Sequence, residues 1–346
     1  MFYIHQTTCI SPQQTFLHPD LHQFRESVEN KLKVMEPEYP GIPPGILRRM
    51  GKAVRIGVGA ALPLVQQVPV AGIVIGTANG GMEDCIRFLN QIIQYEEGML
   101  TPGNFVQSTP NSIAAQLGLL GNNKGHNSTH VHRGLAFENA LLDVAMLSRE
   151  HPGKNYLLGA VDEISTYNYN IDFLGGWYKK EALASKDLFS IDSQGSIAGE
   201  GAAMFIINDK KESAQAYLQD ISTLHTERAE AVTDRLQYFM NKNLNDGENI
   251  DLLISGESGD NRFVKFYNAC EALLGNDVPI ARFKHMSGEF ATASAIALWL
   301  GCQALGEQAL PTHMLKSNPI QKNIKRILIY NNYKGIQHSF ILLSKP

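Results

Sequence analysis

Short, largely apolar runs alternate along this chain with longer stretches of helical spacing. Residues 70–76, 155–161 and 201–208 are such runs in the first part of the sequence, and 250–254, 279–283, 327–330 and 340–343 in the second. A strand that is apolar at every position is covered on both faces, so the pattern predicts a largely parallel sheet sandwiched by helices. Helices are expected at 83–97, after a turn rich in Gly and Asn, and at 227–242, where Val232, Leu236, Phe239 and Met240 fall on one side. The longest apolar stretches, 56–65 and 291–305, are shorter than the roughly 20 residues of a membrane span. They read as core elements. No short repeat, low-complexity tract or flexible linker divides the chain. The only seam is the polar stretch 208–213, which leaves two interlocked α/β halves, 1–210 and 211–346.

Composition adds exclusions. Apolar residues make up 44% of the 346 and charged residues 18%, below the usual charged share of about 25%. Sparse charge fits a chain that buries surface against a partner. A formal charge of −4, with basic residues grouped only at Arg48-Arg49 and 322–326, gives no field for nucleic acid. Cys9, Cys85, Cys270 and Cys302 lie far apart without CxxC spacing, as expected of reduced thiols in a cytosolic protein. Residues 1–10 lack the basic region of a signal peptide, so none is expected.

Three segments have the form of catalytic turns. In the first, Asn127-Ser128-Thr129-His130-Val131-His132-Arg133-Gly134 runs from a strand into an apolar helix expected over 131–149. Such a turn exposes its residues at the positive end of a helix. His130 and His132 would point to one side of an extended chain and Val131 to the other. His126 could join them, but the set does not call for a metal. Ser128 and Thr129 fall on the strand side, where their hydroxyls would bond to backbone. The second segment is Asp251-Leu252-Leu253-Ile254-Ser255-Gly256-Glu257-Ser258-Gly259, an apolar strand that ends in a small turn. The third, Lys284-His285-Met286-Ser287-Gly288-Glu289, precedes a helix of small residues. Competing motifs fail: Ala78 occupies the second glycine position of a dinucleotide fingerprint, 118–125 lacks a phosphate-loop ending, and no Gly-x-Ser-x-Gly elbow is present.

The order and spacing of these segments resemble the β-ketoacyl synthases. The Thr-Pro-Asn-Ser turn at 109–112, the Gly-Glu-Gly-Ala turn at 199–202 and a first strand ending in Ile-Ser-Pro at 10–12 add to the likeness. The resemblance implies a thiolase-like α/β fold, two similar interlocked halves in a five-layer α/β/α/β/α arrangement. It also implies that Val131 stands where the family has its acyl-carrying cysteine, and Ser255 and Glu289 where it has two histidines. Valine has no nucleophilic atom, serine is not a neutral base near pH 7, and glutamate lacks the nitrogen donor that would stabilise a thioester enolate. No catalytic residue is therefore expected to be intact, with His130, His132, Lys284 and His285 left as candidate pocket residues. Residues 331–339 take the place of a gating loop, of which Gly335 survives, with Lys334 near the gating phenylalanine.

What the resemblance implies about function is a non-condensing homologue similar to the chain-length-factor subunits of type II polyketide systems. Such a subunit would partner an active ketosynthase, or itself, around a carrier-bound acyl chain, in the cytoplasm and without a cofactor or metal. Two alternatives stay open: an enzyme of altered chemistry, such as acyl hydrolysis or transfer, and a homodimeric acyl-binding protein.

Overall fold

The computed structural model describes residues 1–306, 310–317, 319–320 and 323–346; Lys322 of the basic run lies outside the described residues. Among the described residues eleven strands build the main sheet, ten of them in two sets of five. Five come from the first part of the chain: β1 (Phe2–Ile10), β2 (Gly72–Gly76), β3 (His126–His130), β4 (Tyr156–Asp162) and β5 (Gly201–Asn208). Five come from the second: β6 (Ala216–His225), β7 (Leu252–Ser255), β8 (Ile280–Arg282), β9 (Arg326–Tyr333) and β10 (Gln337–Ser344).

Their spatial order is β3-β2-β4-β5-β1-β6-β10-β9-β7-β8, with a short strand, Leu315–Ser317, beyond β8. Counted within its own half, each set of five reads third, second, fourth, fifth, first. In each, the fifth strand runs antiparallel to its neighbours while the second, third and fourth are parallel. The two first strands meet in the middle through Phe2↔Leu218, Tyr3↔Tyr217 and Ile4↔Ala216. The sheets of the two halves thus form one continuous hydrogen-bonded ladder.

Strand alternation explains the layers. Successive side chains point to opposite faces, and both faces here are apolar. On β2, β4 and β5, the residues Ile73, Ile75, Leu157, Val161, Met204 and Ile206 pack outward under α1 (Lys52–Gln67) and α2 (Ser112–Leu120). Their neighbours Val74, Leu158, Ala203 and Phe205 point inward to α3 (Ala136–Glu150) and α6 (Ser294–Leu305). On the second half Leu253, Leu328, Tyr330, Phe340 and Leu342 face α4 (Ala229–Asn243) and α5 (Val264–Leu274). Ile254, Ile329, Ile341 and Leu343 face the same inner layer as α3 and α6. Five layers result: α1/α2, sheet, α3/α6, sheet, α4/α5. Helix α6 lies in the middle and is buried at all but one of its positions, which is why its sequence shows no amphipathic stripe.

The elbow departs from the expected helix over 131–149. Val131 and His132 are irregular, residues Arg133–Leu135 form a 3₁₀ turn, and α3 begins only at Ala136. The reason is local. Arg133 adopts a positive φ of 48°, and Gly134 packs so closely on Tyr333 that a Cβ there would sit 2.2 Å from the tyrosine Cβ.

Candidate functional site at the strand ends

The carboxyl ends of β2, β4, β7 and β9 converge, the usual place for a ligand in an open α/β sheet. A cleft lies there, lined among others by Ala78, Asp162, Glu163, Tyr178, Ser258, Glu289 and Tyr333, with a volume of about 70 Å³. Small-molecule pockets are commonly about 300–1,000 Å³. This one holds a few waters, not an acyl chain.

Of the seven residues singled out in the sequence, only Glu289 lines the cleft. Val131 is half exposed at the elbow and is not part of the cleft lining. Ser255 is fully buried at the end of β7, and its Oγ has no hydrogen-bond partner. His130 and His132 both turn toward α3: His130 Nε2 is 2.7 Å from Asp143 Oδ2, and His132 Nδ1 is 2.7 Å from the Asn139 side-chain amide. The two histidines thus share a side, as expected, but that side is not the pocket. His285 points beneath the cleft, where its Nε2 meets His313 Nδ1 at 3.0 Å among Phe24 and Phe189. Burial drives the pKa of His285 down to about 3, helped by His313 and Arg282. It is a neutral packing residue.

Lys284 and Glu289 form a pair. The ammonium, with none of its side chain exposed, donates to Glu289 Oε2 at 2.6 Å. Burial raises the Glu289 carboxyl pKa and Lys284 opposes the shift. The other oxygen, Oε1, has no partner. The turn carrying this pair is fixed by backbone contact: Gly288 has φ +72°, and a Cβ on Gly199 would meet Ser287 O at 2.1 Å. This is why the Gly-Glu-Gly turn and the Lys-to-Glu turn both need glycine, and Glu289 N donates to Ile197 O across the same junction.

Three further features shape the cleft, and of these the sequence marked only the turn at Lys334 and Gly335. Tyr333, the last residue of β9, places its ring between Gly134 of the elbow and the cleft, beside Ala78 and Ala291. Lys334 and Gly335 both take positive φ in the tight turn to β10, and Lys334 pairs with Asp172 at 2.6 Å. The segment in the gating position is thus a pinned hairpin. Asp162 is buried and accepts from Thr77, Ala78 and Thr292, so it ties β4 to β2 and to the start of α6. Its neighbour Glu163 accepts from Ala53 N at 3.1 Å and leaves Oε1 unpartnered. Burial, then the nearby Asp84 and Glu200, raise its pKa from 4.5 to about 7.

Glu163 carries a prediction for stability. Its pKa is higher folded than unfolded, so the folded state holds its proton more tightly and stability falls as pH rises from about 4.5 to about 7. Each unit of displacement is worth about 1.4 kcal/mol. Glu163→Gln should therefore match the native chain in urea denaturation at pH 4.5 and exceed it by about 1–3 kcal/mol at pH 8. Equal stability of the two at pH 8 would contradict it.

Residues 22–173 match the family model described as β-ketoacyl synthase, N-terminal domain. That stretch is similar to the β-ketoacyl synthases. A β-ketoacyl synthase from Burkholderia phymatum superposes with a TM-score of 0.76 at 14% identity, covering 100% of this chain and 99% of that one. The ishigamide ketosynthase/chain length factor gives 0.76 at 13% identity with the same coverage. The ketosynthase ApeO in complex with its chain length factor ApeC, from Xenorhabdus doucetiae, gives 0.76 at 14%, with 100% and 98% covered. No curated protein sequence matches the chain. At these identities the likeness is one of fold: a thiolase-like ketosynthase fold over the whole length. Among the described residues no helix is long and apolar enough to cross a membrane.

Proposed function

We propose that this chain is a non-condensing ketosynthase homologue that pairs with an active ketosynthase, as a chain length factor does, in polyketide or fatty-acid-like biosynthesis in the cytoplasm. It would help shape the space for a carrier-bound acyl chain and needs no cofactor. The observation that carries the reading is the elbow. By the resemblance Val131 stands in the nucleophile position and Glu289 in that of the second histidine, and Glu289 is already paired to Lys284. The small cleft supports it too, since it has no room for an acyl chain beside Glu289.

The chain should form no acyl-enzyme. Burial raises the thiol pKa of Cys9, Cys270 and Cys302 to about 12, where thiolate is scarce at neutral pH. Cys85 sits on the helix Met82–Gln94, away from the elbow in sequence. Intact mass after incubation with an acyl thioester is expected to be unchanged. A stoichiometric adduct mapping to residues 126–134 would overturn the reading. So would a failure to copurify one-to-one with a coexpressed ketosynthase across several candidate partners.

Glu163 favours a second reading, an enzyme of altered chemistry. A carboxyl poised near pH 7 in a cleft suits general acid–base work such as thioester hydrolysis or acyl transfer. Turnover of acyl thioesters that Glu163→Gln abolishes would establish it.

A further inference from the structure

The cleft at the strand ends is lined by the carboxyl groups of Asp162, Glu163, Asp172, Asp260 and Glu289. Three of them meet a cation of the chain. Lys334 donates to Asp172 at 2.6 Å, Lys284 to Glu289 Oε2 at 2.6 Å, and Arg262 to both oxygens of Asp260. Asp162 and Glu163 form no ion pair among the described residues. Asp162 takes its bonds from hydroxyls and backbone amides. Lys52, whose charge reaches Glu163, is bound to Glu200. The cleft therefore holds two carboxyl groups that no cation of the chain offsets.

Two oxygens of these lining residues are buried and have no partner: Glu163 Oε1 and Glu289 Oε1. Buried acceptors normally have a donor, and charged ones gain the most from it. Glu163 follows the end of β4 and Glu289 follows the turn after β8, so the two reach one cleft from different halves of the chain. A glutamate carboxyl turns easily about its last torsion, which lets the free oxygen swing toward a guest. The walls are aromatic, and cations of the chain already lie on them. Lys31 Nζ is 3.9 Å from the centre of the Tyr169 ring, and the Arg262 guanidinium and Lys334 Nζ are 4.6 Å and 4.7 Å from that of Trp177. The faces of such rings attract positive charge.

We infer that this cleft binds the ammonium end of a small primary amine, with the Glu163 and Glu289 carboxyls as its acceptors. The excess of carboxyl groups calls for a cation and the two free oxygens call for donors. A primary ammonium supplies a charge and three N–H donors in one group. Water would satisfy the oxygens and leave the charge. A divalent metal does not fit, because no three His, Cys, Asp or Glu side chains gather as its ligands among the described residues. Size narrows the class. One water takes about 10–15 Å³ of such space, so the cleft's volume of about 70 Å³ admits on the order of five heavy atoms. That suits an ammonium group on a short alkyl stem. The inference does not depend on pairing with a ketosynthase.

Saturation-transfer NMR on the full chain tests this, with methylammonium chloride as the probe and sodium chloride holding the ionic strength constant. The measurement is made at pH 8, above the pKa of about 7 to which burial raises Glu163. The ceiling on binding per heavy atom for very small ligands puts the Kd on the order of 10 mM. Glu163→Gln should weaken it about tenfold or more, since a charge-assisted bond becomes a neutral one. Glu289→Gln should act in the same direction, with circular dichroism to confirm that both variants fold. Glu163→Gln decides the matter, because the stability argument above expects it to be no weaker than the native chain. Tetramethylammonium, with the same charge and no N–H, should bind about tenfold more weakly or worse. The absence of saturable transfer to methylammonium overturns the inference, as does an affinity that Glu163→Gln leaves unchanged. Tetramethylammonium binding as tightly as methylammonium overturns it too, since the rings alone would then hold the cation.

Discussion

Val131→Cys should give a chain that iodoacetamide alkylates at the elbow but that makes no condensation product. The exposed side chain at 131 guarantees access for the reagent, and intact mass reads the adduct. Condensation asks for more than a thiol. The extender must lose carbon dioxide, and the enolate left behind must be held by hydrogen-bond donors, a task that the resemblance assigns to histidines at the positions of Ser255 and Glu289. Ser255 is sealed from solvent. Glu289 offers a carboxyl whose one bonded oxygen already accepts from Lys284. Loss of one such donor typically costs about 10²–10³ in rate, so two missing together place the reaction roughly 10⁴–10⁶ below a working synthase. Product from radiolabelled malonyl carrier protein should stay at background. Clear turnover by the single variant, without a partner subunit, would show that the residues at 255 and 289 are no barrier.

The layers of the fold were legible because burial on both faces leaves a mark that does not depend on long-range contacts. Runs such as Ile73-Val74-Ile75 and Ile327-Leu328-Ile329 have no polar position, and only a covered strand tolerates that. The glycines at 199 and 288 were legible as motif members, and the structure supplies their reason: two backbones approach too closely for a Cβ. The elbow was legible as a turn but not in its detail, since the delay of α3 to Ala136 depends on Tyr333 pressing on Gly134 from 199 residues away.

The chemistry of the site was less legible, and for one physical reason. A side chain's role depends on its neighbours, and these come from strand ends far apart in sequence. Glu163 gains its raised pKa from Asp84 and Glu200 as well as from burial. His285 sits in the same turn as Lys284, yet the chain direction after Phe283 sends it to His313 and away from the cleft. His130 and His132 read as pocket candidates because they flank Val131, whereas α3 presents Asn139 and Asp143, one helical turn apart, to receive them.

Lys284→Ala should cost about 3–5 kcal/mol, while the double change Lys284→Met with Glu289→Leu should cost little or even stabilise. Breaking a buried ion pair leaves a charge without compensation, which is worth about 3–5 kcal/mol, and replacing both partners by apolar groups removes the problem. Here the penalty is compounded. Lys284 also lies within electrostatic reach of Glu138, a fully buried acid on α3 whose pKa burial raises and whose Oε2 has no partner. Removing the lysine would push the pKa values of Glu138 and Glu289 further up. Both already bind protons more tightly folded than unfolded, so the variant's deficit should grow as pH rises from about 4.5, the range where unfolded glutamate ionises. Urea midpoints at pH 5 and pH 8 for the native chain, the single variant and the double variant give the three comparisons. A structural pair predicts a large loss in the single variant, larger at pH 8, and recovery in the double. If the double variant is as unstable as the single, the ammonium has a further partner that the pair does not account for. If the single variant is as stable as the native chain at both pH values, the Lys284–Glu289 contact does not hold this turn together, and its glycine contacts alone do.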